Sequence, residues 1–209
     1  MVINPFQIFS YIKTKTRWPE CFCYNGHWLP YFDHPYTFNT ERRIEIPIAL
    51  HHMNTLSNVM EVGNVLSRFI STNYPIVDKY EKVGRIINKD IVGLKWAVSL
   101  DQIVCISTLE HVGWDHPEEK DNLKTKQALE SMHSLLKPGG RLLLTFPIGY
   151  NIMLDDLFYR QPELFGDVTC MKRRPGNKWG QTTQANIRGC AYGRPFKCAN
   201  GLVVSNYEK

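Results

Sequence analysis

The residues of this chain best suited to chemistry stand directly after its short apolar runs. Val59-Met60-Glu61-Val62 leads to Gly63 and Asn64, and Pro75-Ile76-Val77 leads to Asp78 and Lys79. Arg85-Ile86-Ile87 leads to Asn88, Asp90 and Ile91, and Gln102 to Ile106 leads to Ser107, Leu109 and His111. Each has a physical task open to it. Gly63 permits a tight turn and close backbone approach, and the amides that follow can hold a carboxylate or phosphate. Asp78 stands where an acid accepts both hydroxyls of a ribose. Asp90 can accept from an exocyclic amine, with Ile91 and Leu109 as apolar walls of a base slot. His111 carries an imidazole able to take a proton near neutral pH, with Trp114 and Asp115 close in sequence.

These residues need a scaffold that brings strand ends to one side, and the patterning supplies one. The apolar runs are continuous rather than alternating, which suits strands covered on both faces, and helical stretches separate them. The chain is therefore read as α/β, with a mostly parallel sheet and helices on both faces. The clearest crossover is predicted over HPEEKDNLKTKQALESMHSLLKPGG. Pro117 suits a first helical position, Glu118 and Glu119 favour the positive end of the helix dipole, and Leu129, Met132, Leu135 and Leu136 recur at helical spacing. Pro138-Gly139-Gly140 is read as its stop. Beyond Phe146, MLDDLFYRQPELF predicts a helix, VTCMKRR and GLVVSN predict strands, and residues 175–200 read mostly as loop.

In order, EVGN, VDKYE, NKDI, DQIVCISTLEHVGWD and LLKPGGRLLLTFP resemble the class I S-adenosylmethionine-dependent methyltransferases, in particular the type 11 group. ISTLEHV and LKPGGRLLLTFP are the most specific stretches, and the motifs span residues 58 to 148. EVGNVLS stands in place of the usual glycine-rich loop, as in a divergent branch. The resemblance implies a Rossmann-like sheet of seven strands whose last strand is antiparallel, with S-adenosylmethionine as cofactor. It matches Glu61, Gly63 and Asn64 to the loop beside the methionine moiety, and Asp78 with Lys79 to the ribose side. Asp90 and Ile91 match the adenine side, and Ser107 to Leu109 the segment beneath the sulfonium. His111 is the candidate base.

Composition sets further bounds. The 209 residues carry a net charge of +5, but residues 1–166 hold 17 Lys/Arg against 18 Asp/Glu, while residues 167–209 hold 8 against 2. That basic tail suits an anionic partner. An aromatic-rich arm over residues 1–50 (Trp18, Phe22, Tyr24, Trp28, Tyr31, Phe32, Tyr36, Phe38) reads as irregular, and residues 51–209 read as the methyltransferase-like domain. The arm and tail are the expected acceptor side, for a small molecule or a glycan. Cys21, Cys23, His27 and His34 lack a common zinc spacing, so aromatic-rich packing is expected there rather than a metal. The six cysteines are expected to be reduced. No apolar run reaches the length of a membrane span, and MVINPFQIFSYIK lacks a secretory pattern, so a cytoplasmic protein is expected. Two other readings stay open: a nucleic-acid methyltransferase, and a methyltransferase-like binding module without catalysis. A nicotinamide dehydrogenase is disfavoured because G-x-G-x-x-G is absent.

Overall fold

The computed structural model describes residues 20–53, 58–121 and 123–209. Trp18, the N-terminal stretch weighed as a signal, and residues 54–57 lie outside the described residues.

Eight strands form the central sheet: β3 (Val59–Val62), β4 (Ile76–Val77), β5 (Ile86–Ile87), β6 (Leu100–Ile106), β7 (Leu136–Pro147), β8 (Asp167–Arg174), β9 (Lys178–Thr182) and β10 (Gly201–Glu208). Their spatial order is β5-β4-β3-β6-β7-β10-β8-β9. The pairs from β5 through β7 are parallel, whereas β10 runs antiparallel to both β7 and β8, and β9 runs antiparallel to β8. The last strand of the chain is thus the antiparallel insertion that the resemblance implies. β9 adds an eighth strand inside a segment read mostly as loop. The chain enters at β3, winds outward to β5, then returns to β6 on the other side, so the topological switch lies between β3 and β6.

Alternation along the strands makes two cores. Met60, Ile103, Cys105, Leu142, Leu144 and Val203 face a layer built by α2 (Lys124–Leu135) and α3 (Ile152–Arg160). Val59, Val104, Ile106, Leu143 and Val204 face the other way, onto α1 (Arg42–His52) and a hairpin of β1 (Cys21–Tyr24) and β2 (His27–Pro30). A short helix, α4 (Gln184–Ile187), precedes the last loop. Among the described residues, no helix is long and apolar enough to cross a membrane.

Three expectations need revision. The described part of the aromatic arm is regular: Asn25 and Gly26, at φ 47° and 81°, turn the β1–β2 hairpin, and eleven residues form α1. Helix α2 begins at Lys124 rather than Pro117. Pro117 opens only a 3-10 turn, and the Asp121 carboxylate accepts the Leu123 amide just ahead of the helix. The Pro138-Gly139-Gly140 stop lies within β7, at a register shift against β6 between Leu100 and Gln102.

Helix α1 is fixed to the sheet by one carboxylate. Glu45 is fully buried, and its Oε1 accepts the hydroxyls of Ser107 and Thr145, both at 2.6 Å, while Oε2 pairs with Arg42 at 2.5 Å. Thr145 Oγ1 also accepts the Ser107 amide at 3.1 Å. Removing one partner of a buried pair leaves an uncompensated charge, which costs several kcal/mol. Glu45→Ala is expected to lower unfolding stability by about 3 kcal/mol, measured by denaturant melts, because Arg42 and two hydroxyls lose their acceptor.

Candidate active site

Loops leaving β3, β4, β5 and β6 meet at the carboxyl end of the sheet. At the switch point Gly63 adopts φ +81°, and a Cβ there would lie 2.0 Å from Thr108 Oγ1. Only glycine lets the β3 and β6 loops approach so closely. Glu61, on β3, is fully buried; its Oε1 accepts the amides of Val65 (2.8 Å) and Leu66 (2.6 Å), while Oε2 has no hydrogen-bond partner. Burial pushes the Glu61 carboxyl up to about 7 against the pull of those amides. The Tyr74 hydroxyl, also buried and without a hydrogen bond, is raised by burial and by the charge of Glu61.

Asn64 makes a specific contact. Its Nδ2 donates to Glu81 Oε2 at 2.5 Å, its Oδ1 accepts the Ser67 hydroxyl, and Arg68 closes an ion pair with the same Glu81. The β3 and β4 loops are therefore tied across their mouths. Asp78 Oδ1 accepts the amides of Tyr80 and Glu81, both at 2.8 Å, which shapes the turn after β4. Lys79 pairs with Asp90 at 3.1 Å, and Asp90 Oδ1 accepts the Val92 amide at 2.9 Å. These contacts gather Asn64, Asp78, Lys79 and Asp90 along one rim.

The remaining predicted residues divide. Ile91 and Leu109 are buried in the core on the α2 side. Ser107, at φ +33°, turns its hydroxyl away toward Glu45 under α1. His111 follows on a 3-10 turn, and its Nδ1 lies 2.6 Å from Asp115 Oδ2. A carboxylate only accepts, so Nδ1 carries the proton, and Nε2 lies 3.8 Å from Glu110 Oε1. Tyr150 donates to both oxygens of Asp115, at 3.0 and 3.1 Å, with its ring 4.9 Å from the imidazole.

Sequence reasoning missed Tyr150 and the α1 acids, and noted Glu110 after the fourth strand without giving it a role. Tyr150 sits three residues past the end of β7, the same strand-end position that flagged the other candidates. Glu110 is buried, with Oε2 unpartnered and its carboxyl raised well above the usual range by burial; its backbone carbonyl accepts Asn151 Nδ2 at 2.9 Å. Asn151 in turn caps α3 through the amides of Met153 and Leu154.

A parallel sheet entered at its middle, with its final strand antiparallel between β7 and β8, settles the architecture. The fold is a Rossmann-like α/β sheet. No protein-family model matches the sequence, and neither does any curated protein. Solved structures to which the chain is similar include a methyltransferase from Archaeoglobus fulgidus described as SAM-dependent, 14% identical, with 79% of this chain and 91% of that one covered at a TM-score of 0.49. Similar too is the N-methyltransferase NodS from Bradyrhizobium japonicum in complex with S-adenosyl-L-homocysteine, 12% identical, with 74% and 78% covered at 0.47. A possible histamine N-methyltransferase from Thermotoga maritima is 12% identical, with 79% and 87% covered at 0.48.

The buried Glu61 gives this fold a defined pH response. A carboxyl ordinarily at 4.5 and raised to about 7 in the folded state favours the protonated form. Its stabilising contribution is complete below the unfolded value and is lost as pH rises through about 7. Glu61→Gln keeps an acceptor for the Val65 and Leu66 amides without the ionisation cost. The variant is expected to melt higher than the parent at pH 8 and to lose that advantage at pH 5, as followed by thermal melts.

Proposed function

We propose that this protein transfers a methyl group from S-adenosylmethionine to an oxygen or nitrogen of a small molecule or glycan. The observation that carries the reading is the His111–Asp115–Tyr150 group at the end of the sheet, beside the loops of the switch point. Catalysis at the carboxyl ends of such strands is what an open α/β sheet favours.

The residues at the rim fit the cofactor. Gly63 supplies a left-handed turn at the switch point, Asp78 offers an acid to ribose hydroxyls, and Asp90 with Ile91 suits the adenine end. Glu61 places an unpaired buried oxygen beneath the loop matched to the methionine moiety, where a cationic group would be welcome. Asn64, Lys79, Ser107 and Leu109 complete the set by shaping those loops. When bound, the cofactor supplies a sulfonium methyl open to one-step displacement.

The chain's own groups then have two tasks: alignment of the acceptor and management of its proton. Asp115 fixes the imidazole tautomer, and Tyr150 fixes Asp115. His111 Nε2 accepts the proton of the attacking hydroxyl or amine. The described arm, through α1 and the aromatic hairpin, and the basic segment from residue 167 build the acceptor side, and an anionic acceptor suits that charge.

Calorimetry with S-adenosylhomocysteine tests the cofactor assignment. The intact protein is expected to bind in the micromolar range, and Asp78→Ala to lose at least tenfold in affinity. Asp78→Asn, which retains the acceptor for Tyr80 and Glu81, separates loss of ribose contact from loss of the turn. Absence of binding by the intact protein would sink the reading. With an acceptor found by screening, His111→Asn is expected to lower kcat by about 10²-fold or more while cofactor affinity stays unchanged.

A further inference from the structure

Four cations line a cleft of about 450 Å³ walled in part by Cys190 and Ala191: Lys172, Arg173, Arg188 and Arg194, with Phe196 and Asn200. Among the described residues, none of the four lies within ion-pair distance of a carboxylate, although the chain pairs Arg42, Arg43, Arg68, Arg141 and Arg160 elsewhere. Arg173 is only 8% exposed. Its guanidinium reaches the backbone carbonyls of Lys197, Ala199 and Asn39, and its Nε has no hydrogen-bond partner. The nearby Glu41 is engaged instead, accepting the Ala199 amide at 3.1 Å. Carbonyl dipoles satisfy the donors, and the charge of Glu41 offsets the burial of the guanidinium only in part, so burial still holds it below its ordinary value. Like charges gathered in a concave wall repel one another, and an anion relieves this.

The cleft is built rather than incidental. Asn200 is buried and donates to the carbonyls of Ala191, Phe196 and Cys198 while accepting the Phe196 amide, so it knits the loop that carries Arg194. Arg188 lies over the Tyr159 ring at 4.8 Å, and Lys172 is steered by the Asn186 carbonyl at 2.8 Å. One wall also reaches the catalytic group. Gly149 has no room for a Cβ against Cys190 O (2.3 Å), and Tyr192 packs edge-on to Tyr150 at 4.9 Å. Tyr150 in turn holds Asp115.

We propose that this cleft binds a phosphoryl group of a small acceptor molecule, positioning the remainder of that acceptor toward His111. The inference rests on the methyl-transfer reading only for what the bound molecule does next. Planar guanidinium groups suit phosphate oxygens, the volume accommodates a phosphorylated sugar, and Phe196 offers an apolar face.

The test is calorimetry of the full chain with inorganic pyrophosphate, beside a separate titration with S-adenosylhomocysteine. Pyrophosphate binding is expected, with a loss of at least tenfold in the Arg188→Gln/Arg194→Gln double variant. Both residues are exposed, so the variant's melting temperature and its S-adenosylhomocysteine titration should match the parent's. No pyrophosphate binding, or binding indifferent to the two substitutions, overturns the proposal. So does a single-stranded oligoribonucleotide that outcompetes pyrophosphate with steep salt dependence, since that marks a nucleic-acid surface. Pyrophosphate binding without S-adenosylhomocysteine binding would uphold the cleft while removing the methyltransferase reading. The converse result would leave that reading intact.

Discussion

The buried carboxylate of Glu45 couples the two halves of this molecule. It reaches from α1 to the ends of β6 and β7, where it accepts two hydroxyls and one guanidinium. Ser107 takes a positive φ at that point, so the chain turns sharply out of β6 and releases Leu109, Glu110 and His111 in a 3-10 turn. The placement of the imidazole therefore follows from a contact on the opposite face of the sheet. A charge held under a helix is costly unless every lone pair is used, and here it anchors the segment that covers the strand ends.

The strand ends separate into two electrostatic regions. Around β3, β4 and β5, acids and cations are matched: Asn64 and Arg68 on Glu81, and Lys79 on Asp90. Around β6 and β7, burial raises Glu110, whose Oε2 has no hydrogen-bond partner and whose Oε1 lies 3.8 Å from Nε2 of a solvent-accessible His111 tied to Asp115. Farther along, the C-terminal segment gathers unpaired cations. In the proposed reading these regions become, in succession, a nucleoside end, a proton-accepting centre and an anion-attracting flank. That succession is the order in which a cofactor and a phosphorylated acceptor would meet.

Much of this was legible before any coordinates because strand ends are marked by polarity change. Continuous apolar runs named β3, β4, β5, β6 and β7; of the residues after them, Asn64, Asp78, Lys79 and Asp90 lie along one rim, whereas Ile91 and Leu109 are buried in the core and Ser107 turns toward Glu45. Helix α1 was hidden because its stripe is interrupted by Arg42, Arg43, Glu45 and Pro47; Arg43 and Glu45 are themselves buried, so no amphipathic period survives. The hairpin did leave a signal in Asn25-Gly26, masked by the surrounding aromatics. Pro117 misled because proline favours the first position of a 3-10 turn as readily as that of an α-helix. Tyr150 carried no motif, and only its contact with Asp115 gives it a role. The tie from Asn64 to Glu81 was equally invisible, since it joins loops 17 residues apart.

A titration of the isotopically labelled protein with S-adenosylhomocysteine, followed through backbone amide resonances, bears most directly on the cofactor crevice. Saturable shifts are expected at Gly63, Asn64, Asp78, Lys79, Asp90 and the Ser107–Leu109 segment, with Arg188 and Arg194 unmoved. Unchanged resonances at Gly63, Asp78 and Ser107 under saturating ligand would contradict the account.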